Sequence, residues 1–183
     1  IMMSMRGDGK PISFIEDCAV RLEDLAEYTA RLTEVFHQHG TEGTWYAHAS
    51  VGCLHVRPIL NLKQSKGAQQ LRDIAEEAFA MVREYKGSHS GEHGDGLVRG
   101  PFIERMFGSE LYDAFRVIKR TFDPDGLFNP GKIVDTPPLT ANLRYGPDYE
   151  TPDPGGYFDY QSYGGLGRAV EMCSGVGACR KTL

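Results

Sequence analysis

Residues Trp45–Pro58, WYAHASVGCLHVRP, predict the β-hairpin on which the fold depends. On one straight strand, His48 and His55 would point to opposite faces, because they are seven residues apart. A hairpin that turns at Val51 and Gly52 places the two histidines directly opposite each other on one face, within reach of a common ion. Gly52 suits a turn position with positive φ, although Val51 is a poor residue for the favoured two-residue turn. The stretch therefore predicts a ribbon that carries two paired imidazoles.

A candidate metal site combines this ribbon with a second polar stretch, SHSGEHGDG at Ser88–Gly96. Strand alternation adds Tyr46 and Arg57 to the histidine face. The glycines of the second stretch let the backbone approach a ligand closely, and in an extended loop Glu92 and His93 would point in opposite directions. Two histidines and one carboxylate leave an open coordination position that suits Zn²⁺, Mn²⁺ or Fe²⁺ acting as a Lewis acid. The alternative interpretation is a solvated glycine-rich loop that happens to contain charge.

Length and composition exclude several classes of protein. The chain has 183 residues, a hydrophobic content of 40% and a formal net charge of −5, which fits about one domain with a real core. No basic run predicts nucleic-acid binding, and no apolar run approaches the roughly 20 residues of a membrane helix. The first residues, IMMSMRGDGK, do not form a secretory signal and are typical of the interior of a longer chain. Four cysteines in a chain of this size favour a reducing, cytoplasmic compartment over a disulfide framework.

The order of predicted elements indicates an α+β fold with a ferredoxin-like antiparallel sheet and helices packed on it. Pro11–Val20 is rich in β-branched and aromatic residues and predicts a strand. Apolar residues at helical spacing then predict helices at Arg21–His39 and, after the hairpin, at Gly67–Tyr85. A fourth strand would have to lie in Ser88–Val98, whose glycines make it a weak candidate.

The second half of the chain changes character after one more helix. Phe102–Phe122 predicts a helix broken near Gly108, and the turn-rich stretch FDPDGLFNPGK follows it. We therefore predict one domain over residues 1–134. Residues 135–167 hold five of the ten prolines and five of the nine tyrosines, which predicts a linker or an extended arm laid over another surface. Residues 168–183 are predicted to begin a further unit that the chain does not complete.

The cysteines divide into two pairs with different predicted roles. Cys173 and Cys179 lie in a glycine-containing stretch and could hold zinc or part of an iron–sulfur cluster, which needs about four thiolates. The alternative for this pair is two unrelated reduced thiols. Cys18 and Cys53 lie in apolar strands and are predicted to be small core residues.

Three motifs in order, HASVGCLH, SGEHGDG and FDPDGLFNPGKIV, resemble the C-terminal substrate domain of FAD-linked oxidases of the D-lactate, glycolate and D-2-hydroxyglutarate dehydrogenase group. The resemblance spans roughly Ile12–Val134. The stretch MCSGVGACRK resembles the opening of the 4Fe-4S module that follows this domain in large bacterial members. The resemblance therefore implies an internal fragment of a longer flavoprotein, without the FAD-binding domain and the later cluster cysteines.

The resemblance also implies roles for individual residues. His48, His55 and Glu92 match the ligands of a divalent metal, and His93 matches the base that takes the proton of the 2-hydroxyl group. Asn129 falls in the motif that approaches the flavin ring.

Two further roles complete the predicted site. We expect Arg57 near the substrate carboxylate because it shares its strand face with His55, and Tyr46 on the same face as a second substrate-binding residue. Cys173 and Cys179 would be two ligands of the incomplete iron–sulfur module.

The function implied by the resemblance is FAD-dependent oxidation of a small anionic D-2-hydroxy acid to the 2-oxo acid. Electrons would pass from FAD to the iron–sulfur module and on to a downstream acceptor, a quinone or a cytochrome. We expect the chain by itself to be inactive and the protein to be cytoplasmic; peripheral attachment at the inner membrane through the acceptor, and a homodimer, stay open. Two alternatives are a metal-dependent hydrolase in which Glu92 or His93 activates metal-bound water, and a non-catalytic structural subunit.

Overall fold

The computed structural model describes residues 5–147, 149–173 and 175–181, which form a small antiparallel sheet covered by helices. Short 3₁₀ turns precede α1, close the hairpin and precede α3. The strands and helices, in chain order, are β1 (Lys10–Pro11), β2 (Cys18–Ala19), α1 (Leu25–Gln38), β3 (Gly43–His48), β4 (Cys53–Leu60), α2 (Ser65–Glu84), α3 (Ile103–Phe107), α4 (Ser109–Phe122) and α5 (Leu166–Glu171).

β4 is the central strand, with β3 along one edge and both β1 and β2 along the other, all antiparallel to it. The prediction of one continuous strand over Pro11–Val20 is wrong, because the six residues 12–17 face only the four residues 55–58 of β4. The surplus residues leave the ladder as a bulge. Phe14 and Ile15 in this bulge are buried in the core, so their apolar side chains fix its position.

The predicted fourth strand is reduced to a single bridge in Ser88–Val98, a stretch that the structure describes completely. The amide of Ala19 donates to the carbonyl of Ser88 at 2.8 Å, and the amide of Ser88 donates back at 2.9 Å. The neighbours across the sheet are thus Ser88, β2, β4 and β3, which is the spatial order of a ferredoxin-like sheet. The predicted α+β class and antiparallel sheet are confirmed, whereas the first predicted strand is interrupted by the bulge and the last is too short to be counted as a strand.

The hairpin forms, but its register differs from the prediction. His48 pairs with Cys53 and Tyr46 pairs with His55, so His48 does not lie directly opposite His55. The turn is longer than two residues because it includes a 3₁₀ turn at Ala49–Val51. The register shift is two residues, and an even shift keeps every side chain on its predicted face.

The helices agree with the predicted spacing except at the start of α1, which begins at Leu25 instead of Arg21 because a 3₁₀ turn at Leu22–Asp24 precedes it and leaves Leu22 exposed. α1 ends before Gly40, and α2 buries the predicted apolar stripe against the sheet. The predicted break at Gly108 separates α3 from α4, with φ of 85° at the glycine. The stripe of α2 consists of Leu71, Ile74, Ala75, Ala78, Phe79 and Val82.

The segment after Val134 lies against the sheet domain. The ammonium group of Lys63 is 2.6 Å from the hydroxyl of Thr151, 2.7 Å from a carboxylate oxygen of Glu171 and 3.0 Å from a carboxylate oxygen of Asp8. Lys63 thereby joins three separate parts of the chain. The division into units at residues 134 and 167 remains a prediction. Among the described residues, no helix combines the length and the apolar character needed to cross a bilayer.

Candidate metal and substrate site

Three imidazole nitrogens surround one carboxylate oxygen on the exposed face of the hairpin. Oε1 of Glu92 lies 2.9 Å from Nε2 of His55, 3.3 Å from Nε2 of His48 and 3.4 Å from Nε2 of His93. Bonds of about 2.1 Å from Zn²⁺ to nitrogen or oxygen place neighbouring ligand atoms roughly 3.0–3.4 Å apart. The oxygen of Glu92 therefore lies at a spacing from the nitrogen of each predicted histidine ligand that suits a divalent transition metal.

His93 lies on the same side of the loop as Glu92, which corrects one prediction. An extended loop would have sent the two side chains in opposite directions, but residues 91–93 bend. The ring of His93 stacks on that of His55, with centroids 4.8 Å apart and planes 15° apart. Among the described residues, one group of possible ligands has all its ligand atoms within 4.8 Å of one another, and it consists of Asp17, His55, Glu92 and His93. His48 is not in this group, and its closeness to the site rests on its contact with Glu92. The predicted base thus lies beside the predicted metal ligands.

The cluster forms one wall of an open pocket of about 480 Å³, a size that accepts a small organic acid. Tyr46 stacks on His55, with centroids 5.7 Å apart and planes 21° apart. Arg57 lines the same pocket, so both residues predicted to bind substrate face it. The lining residues are Thr44, Trp45, Tyr46, His48, His55, Arg57, Glu92 and His93.

Glu16 connects Arg57 to His93 and was not predicted as a site residue. Its Oε2 accepts a hydrogen bond from Nε of Arg57 at 2.5 Å, and its Oε1 is 3.5 Å from Nδ1 of His93. Burial raises the pKa of Glu16. The hydroxyl of Ser13 and the guanidinium of Arg57 together lower it by a larger amount, so the pKa lies below its ordinary value. An ionised carboxylate behind an imidazole holds the ring in place and stabilises its protonated form.

Asp17 is the second site residue that was not predicted. Its side chain is fully buried under the Ser88–Gly96 loop, where it accepts hydrogen bonds from the amides of Glu92 and His93. The signal in the sequence was the pair Glu16-Asp17 inside the apolar stretch PISFIEDCAV, since two adjacent carboxylates are seldom buried without partners.

His89 and Arg99 support the loop from behind. His89 is 1% exposed, and its Nε2 is 3.2 Å from Oδ1 of Asp95. Burial lowers the pKa of His89, the carboxylate of Asp95 raises it and the guanidinium of Arg99 lowers it, and the pKa lies below its ordinary value. Arg99 donates to the carbonyl of Gly94 at 2.8 Å and also to the carbonyl of Glu16. Arg99 therefore holds the loop at Gly94, directly after the Glu92-His93 segment, whereas the buried ring nitrogens of His89 make no hydrogen bond among the described residues.

Asn129 lies away from the histidines, in the wall of a larger and mostly apolar cavity of about 730 Å³. Its loop is closed by Asp123, which accepts hydrogen bonds from the amides of Leu127 and Phe128 at 2.8 and 3.0 Å. Asp95 and Gly96 also line this cavity, so the loop that carries Glu92 and His93 borders both spaces. The aromatic and aliphatic part of the lining consists of Ile103, Phe107, Phe115, Ile118, Phe128, Ile133 and Val134.

The cysteines show two kinds of environment. Cys18 and Cys53 are buried, and burial raises the pKa of the Cys18 thiol to about 11. Cys173 and Cys179 are exposed free thiols. Both lie in the segment that follows α5, and neither lines the pocket of the histidine cluster.

Comparisons with known proteins agree with this arrangement. A family model described as FAD linked oxidases, C-terminal domain, matches residues 2–133. The chain is 37% identical over 133 residues to a D-2-hydroxyglutarate dehydrogenase of Haemophilus influenzae, a match that covers 73% of this chain and 13% of that relative. It is 35% identical over 143 residues to a D-2-hydroxyglutarate dehydrogenase of Escherichia coli, covering 78% and 14%. It is 32% identical over 132 residues to a D-lactate dehydrogenase of Archaeoglobus fulgidus, covering 72% and 29%. The chain therefore spans less than a third of the length of each of these relatives.

Proposed function

Because the chain belongs to the family of FAD linked oxidase C-terminal domains, as its three motifs indicated, we propose that it is the metal- and substrate-binding part of a longer flavin-dependent dehydrogenase. The reaction we propose is oxidation of a D-2-hydroxy acid to the 2-oxo acid. The observation that carries the proposal is the convergence of His48, His55 and Glu92 beside His93 in a pocket open to a small molecule. The names of the relatives, D-2-hydroxyglutarate dehydrogenase and D-lactate dehydrogenase, support the substrate class.

The donor set fits a divalent metal, and His48, His55 and Glu92 are the residues that would hold it. Two imidazoles and one carboxylate leave coordination positions for the hydroxyl and carboxylate oxygens of a substrate. Zn²⁺, Mn²⁺ and Fe²⁺ all accept such ligands. When bound, the ion supplies a Lewis acid that makes the substrate hydroxyl more acidic.

His93 is the residue we assign as the base. A neutral imidazole in this position takes the proton of the substrate hydroxyl group as the hydrogen on the neighbouring carbon leaves with its electron pair. The carboxylate of Glu16, 3.5 Å from Nδ1 of His93, stabilises the charge that the ring acquires. His93 and Glu16 thus divide the work of accepting and stabilising the proton.

Arg57 and Tyr46 are the residues we assign to substrate binding. Arg57 brings a positive charge to the pocket wall, and its bond to Glu16 holds the guanidinium in a defined orientation. Tyr46 adds an aromatic face and a hydroxyl group on the same side. These groups suit the carboxylate end of a small anionic acid.

The apolar cavity beside Asn129 is where we place the flavin ring. Its aromatic and aliphatic walls fit a flat ring, and the loop that carries His93 borders the same cavity. When bound, FAD supplies the acceptor for the electron pair. Asn129 would contact the ring through its amide.

Further parts of the proposal concern the rest of the protein. We propose that Cys173 and Cys179 belong to a 4Fe-4S module completed by other parts of the longer chain, and that electrons leave through it to a quinone or a cytochrome. The domain would then span residues 1–134, residues 135–167 would connect it, and the module would begin at residue 168. A cytoplasmic location, with attachment at the inner membrane through the acceptor, and a homodimer fit the same proposal.

A panel assay of the full-length protein tests the proposed reaction. D-lactate, glycolate, D-2-hydroxyglutarate and the L-enantiomers of the chiral acids are offered with an artificial electron acceptor. We expect the acceptor to be reduced with at least one achiral or D-substrate and activity to be lost on treatment with a chelator and restored by a divalent metal. A flavin-free protein that hydrolyses an ester or amide would instead support the hydrolase, and a flavoprotein inactive with every acid would overturn the substrate class.

A further inference from the structure

Asp17 binds three consecutive residues of the loop that carries the site. Its backbone carbonyl accepts a hydrogen bond from the amide of Gly91 at 2.7 Å. Its carboxylate accepts one from the amide of Glu92 at 3.0 Å and one from the amide of His93 at 2.8 Å. One residue of the bulge therefore fixes the backbone at the two positions whose side chains face His55.

The carboxylate of Asp17 has no capacity left for a metal. Besides the two loop amides, Oδ2 accepts from the hydroxyl of Ser90 at 3.3 Å, and Oδ1 accepts from the thiol of Cys53 at 3.4 Å. A carboxylate offers about four lone-pair positions, and these donors occupy them. Asp17 is close enough to His55 to be counted with the metal-binding groups, but its bonds assign it to the loop.

The backbone of Asp17 is adapted to this task. Its φ is 81°, a left-handed conformation that most side chains avoid and that Asp and Asn tolerate. The side chain is fully buried, so its charge depends on the hydrogen bonds around it. Burial raises the pKa of Asp17. Hydrogen bonds from the amides of His93 and Glu92 and from the thiol of Cys53 lower it by a larger amount, so the pKa lies below its ordinary value.

The loop needs such support because its own sequence does not fix it. Gly94 and Gly96 have φ of 81° and 55°, and both are glycines that can adopt many conformations. In residues 88–96, which the structure describes throughout, one bridge, at Ser88, joins the loop to the backbone ladder, and the next backbone bond, from the amide of Gly91, is to Asp17 itself. Without Asp17, the chain direction at Glu92 and His93 would be poorly determined.

We propose that Asp17 is a positioning residue, which fixes the backbone of Glu92 and His93 so that the carboxylate of Glu92 and the ring of His93 both face His55. This inference rests on the proposed metal site, and it adds a role for a buried carboxylate that touches neither metal nor substrate. The effect of Asp17 passes through the backbone of the loop.

The test compares Asp17→Asn with Asp123→Asn, in the chain as described. Asp123 is a matched control, because it is also a buried aspartate that accepts bonds from two consecutive amides, on another loop. Asn at position 17 keeps the size and the tolerance of positive φ but loses an acceptor and the charge. Amide hydrogen exchange is measured by NMR without metal, and Mn²⁺ affinity is measured by calorimetry.

We expect Asp17→Asn to speed exchange of the Glu92 and His93 amides on the order of 10-fold or more, since bonds to charged groups are the stronger ones. Mn²⁺ affinity should fall on the order of 10- to 100-fold, the usual cost of losing a partner that orients metal ligands. Asp123→Asn should destabilise its own loop. It should leave the exchange of the Glu92 and His93 amides and the affinity for Mn²⁺ unchanged.

The readouts separate failure of this inference from failure of the metal site. Unchanged exchange in Asp17→Asn overturns the positioning role, and so does Mn²⁺ affinity equal to that of the wild type. Loss of Mn²⁺ binding with unchanged exchange would make Asp17 a ligand instead. If the wild type binds no Mn²⁺, the metal site fails and exchange alone decides the role of Asp17. If Asp17→Asn does not fold, amide exchange in the wild type tests the positioning role. Protected Glu92 and His93 amides would support it, and exchange at the rate of an unstructured chain would contradict the bonds to Asp17.

Discussion

Glu92 and His93 show at the residue scale what could and could not be predicted from sequence. Their chemical types and their flanking glycines indicated a candidate ligand, and the resemblance to FAD-linked oxidases implied the role of ligand for Glu92 and of base for His93. Their directions could not be predicted, because the bend at residues 91–93 depends on bonds to Asp17, which lies more than seventy positions earlier in the chain. Long-range contacts of this kind leave no local pattern in the sequence. Glu16 and Asp17 could have been identified as a buried carboxylate pair, but not assigned their partners.

Substitution of these two neighbours should have opposite effects on metal content. Glu92→Ala removes the oxygen around which the imidazoles gather, so we expect the chain to lose its metal. His93→Ala removes the base, and in the full-length protein it should lower the rate on the order of 10² to 10⁴-fold while the metal is nearly retained. Metal per chain, measured after dialysis, checks both variants.

The reverse outcome would exchange the two roles. If His93→Ala empties the site while Glu92→Ala leaves it full, His93 is the ligand and Glu92 is not. Both outcomes are physically reasonable, because Nε2 of His93 lies only 3.4 Å from Oε1 of Glu92 and is close enough to bind the same ion.

The hairpin is the instructive case at the element scale. Strand alternation correctly predicted which side chains share the face of His55, because an even register shift does not change faces. The register itself depends on the turn, and Ala49–Val51 forms a 3₁₀ turn that the sequence did not predict. The buried face of α2 was predictable because it depends only on the local spacing of apolar residues. The bulge between β1 and β2 was not, because it depends on which residues of β4 it faces.

Gly52 closes this turn in a conformation and a space that disfavour any residue with a Cβ atom. Its φ is 70°, and a Cβ atom there would lie 1.9 Å from the carbonyl oxygen of Val20. Gly40 has a similar φ of 66° but open space around the equivalent position, which makes it a matched control. We expect Gly40→Ala to lower the free energy of unfolding by roughly 1 to 2 kcal/mol, the cost of a left-handed alanine.

Gly52→Ala should cost roughly 1 to 3 kcal/mol more than this control, because backbone must move to relieve the contact. Chemical denaturation of the two variants and the wild type measures both free energies. Equal destabilisation by the two substitutions would show that the backbone at Val20 moves away without cost. The turn would then not pack closely against the chain before α1.

At the scale of the whole molecule, the family match ends close to where the sequence changes character. The matched residues, 2–133, contain the sheet, the histidine cluster and the lining of the larger cavity except Val134. The later segment is held to this part through Lys63, which lies near Thr151 and Glu171. Composition predicted a segment without a core of its own, whereas its docking on Lys63 could not be predicted from a single lysine in a loop. The residues proposed to bind metal, substrate and flavin therefore all lie in the matched part.

We propose that the histidine cluster of this part binds one divalent metal ion. Titration of the chain with Zn²⁺ or Mn²⁺ tests this by comparing the wild type with His48→Ala/His55→Ala. A second double variant, His37→Ala/His39→Ala, removes the same number of imidazoles at the end of α1, and neither residue lines the pocket of the cluster. We predict one ion per chain for the wild type and for the control, and no specific binding for His48→Ala/His55→Ala. Equal binding by all three proteins, or none by the wild type, would contradict the claim.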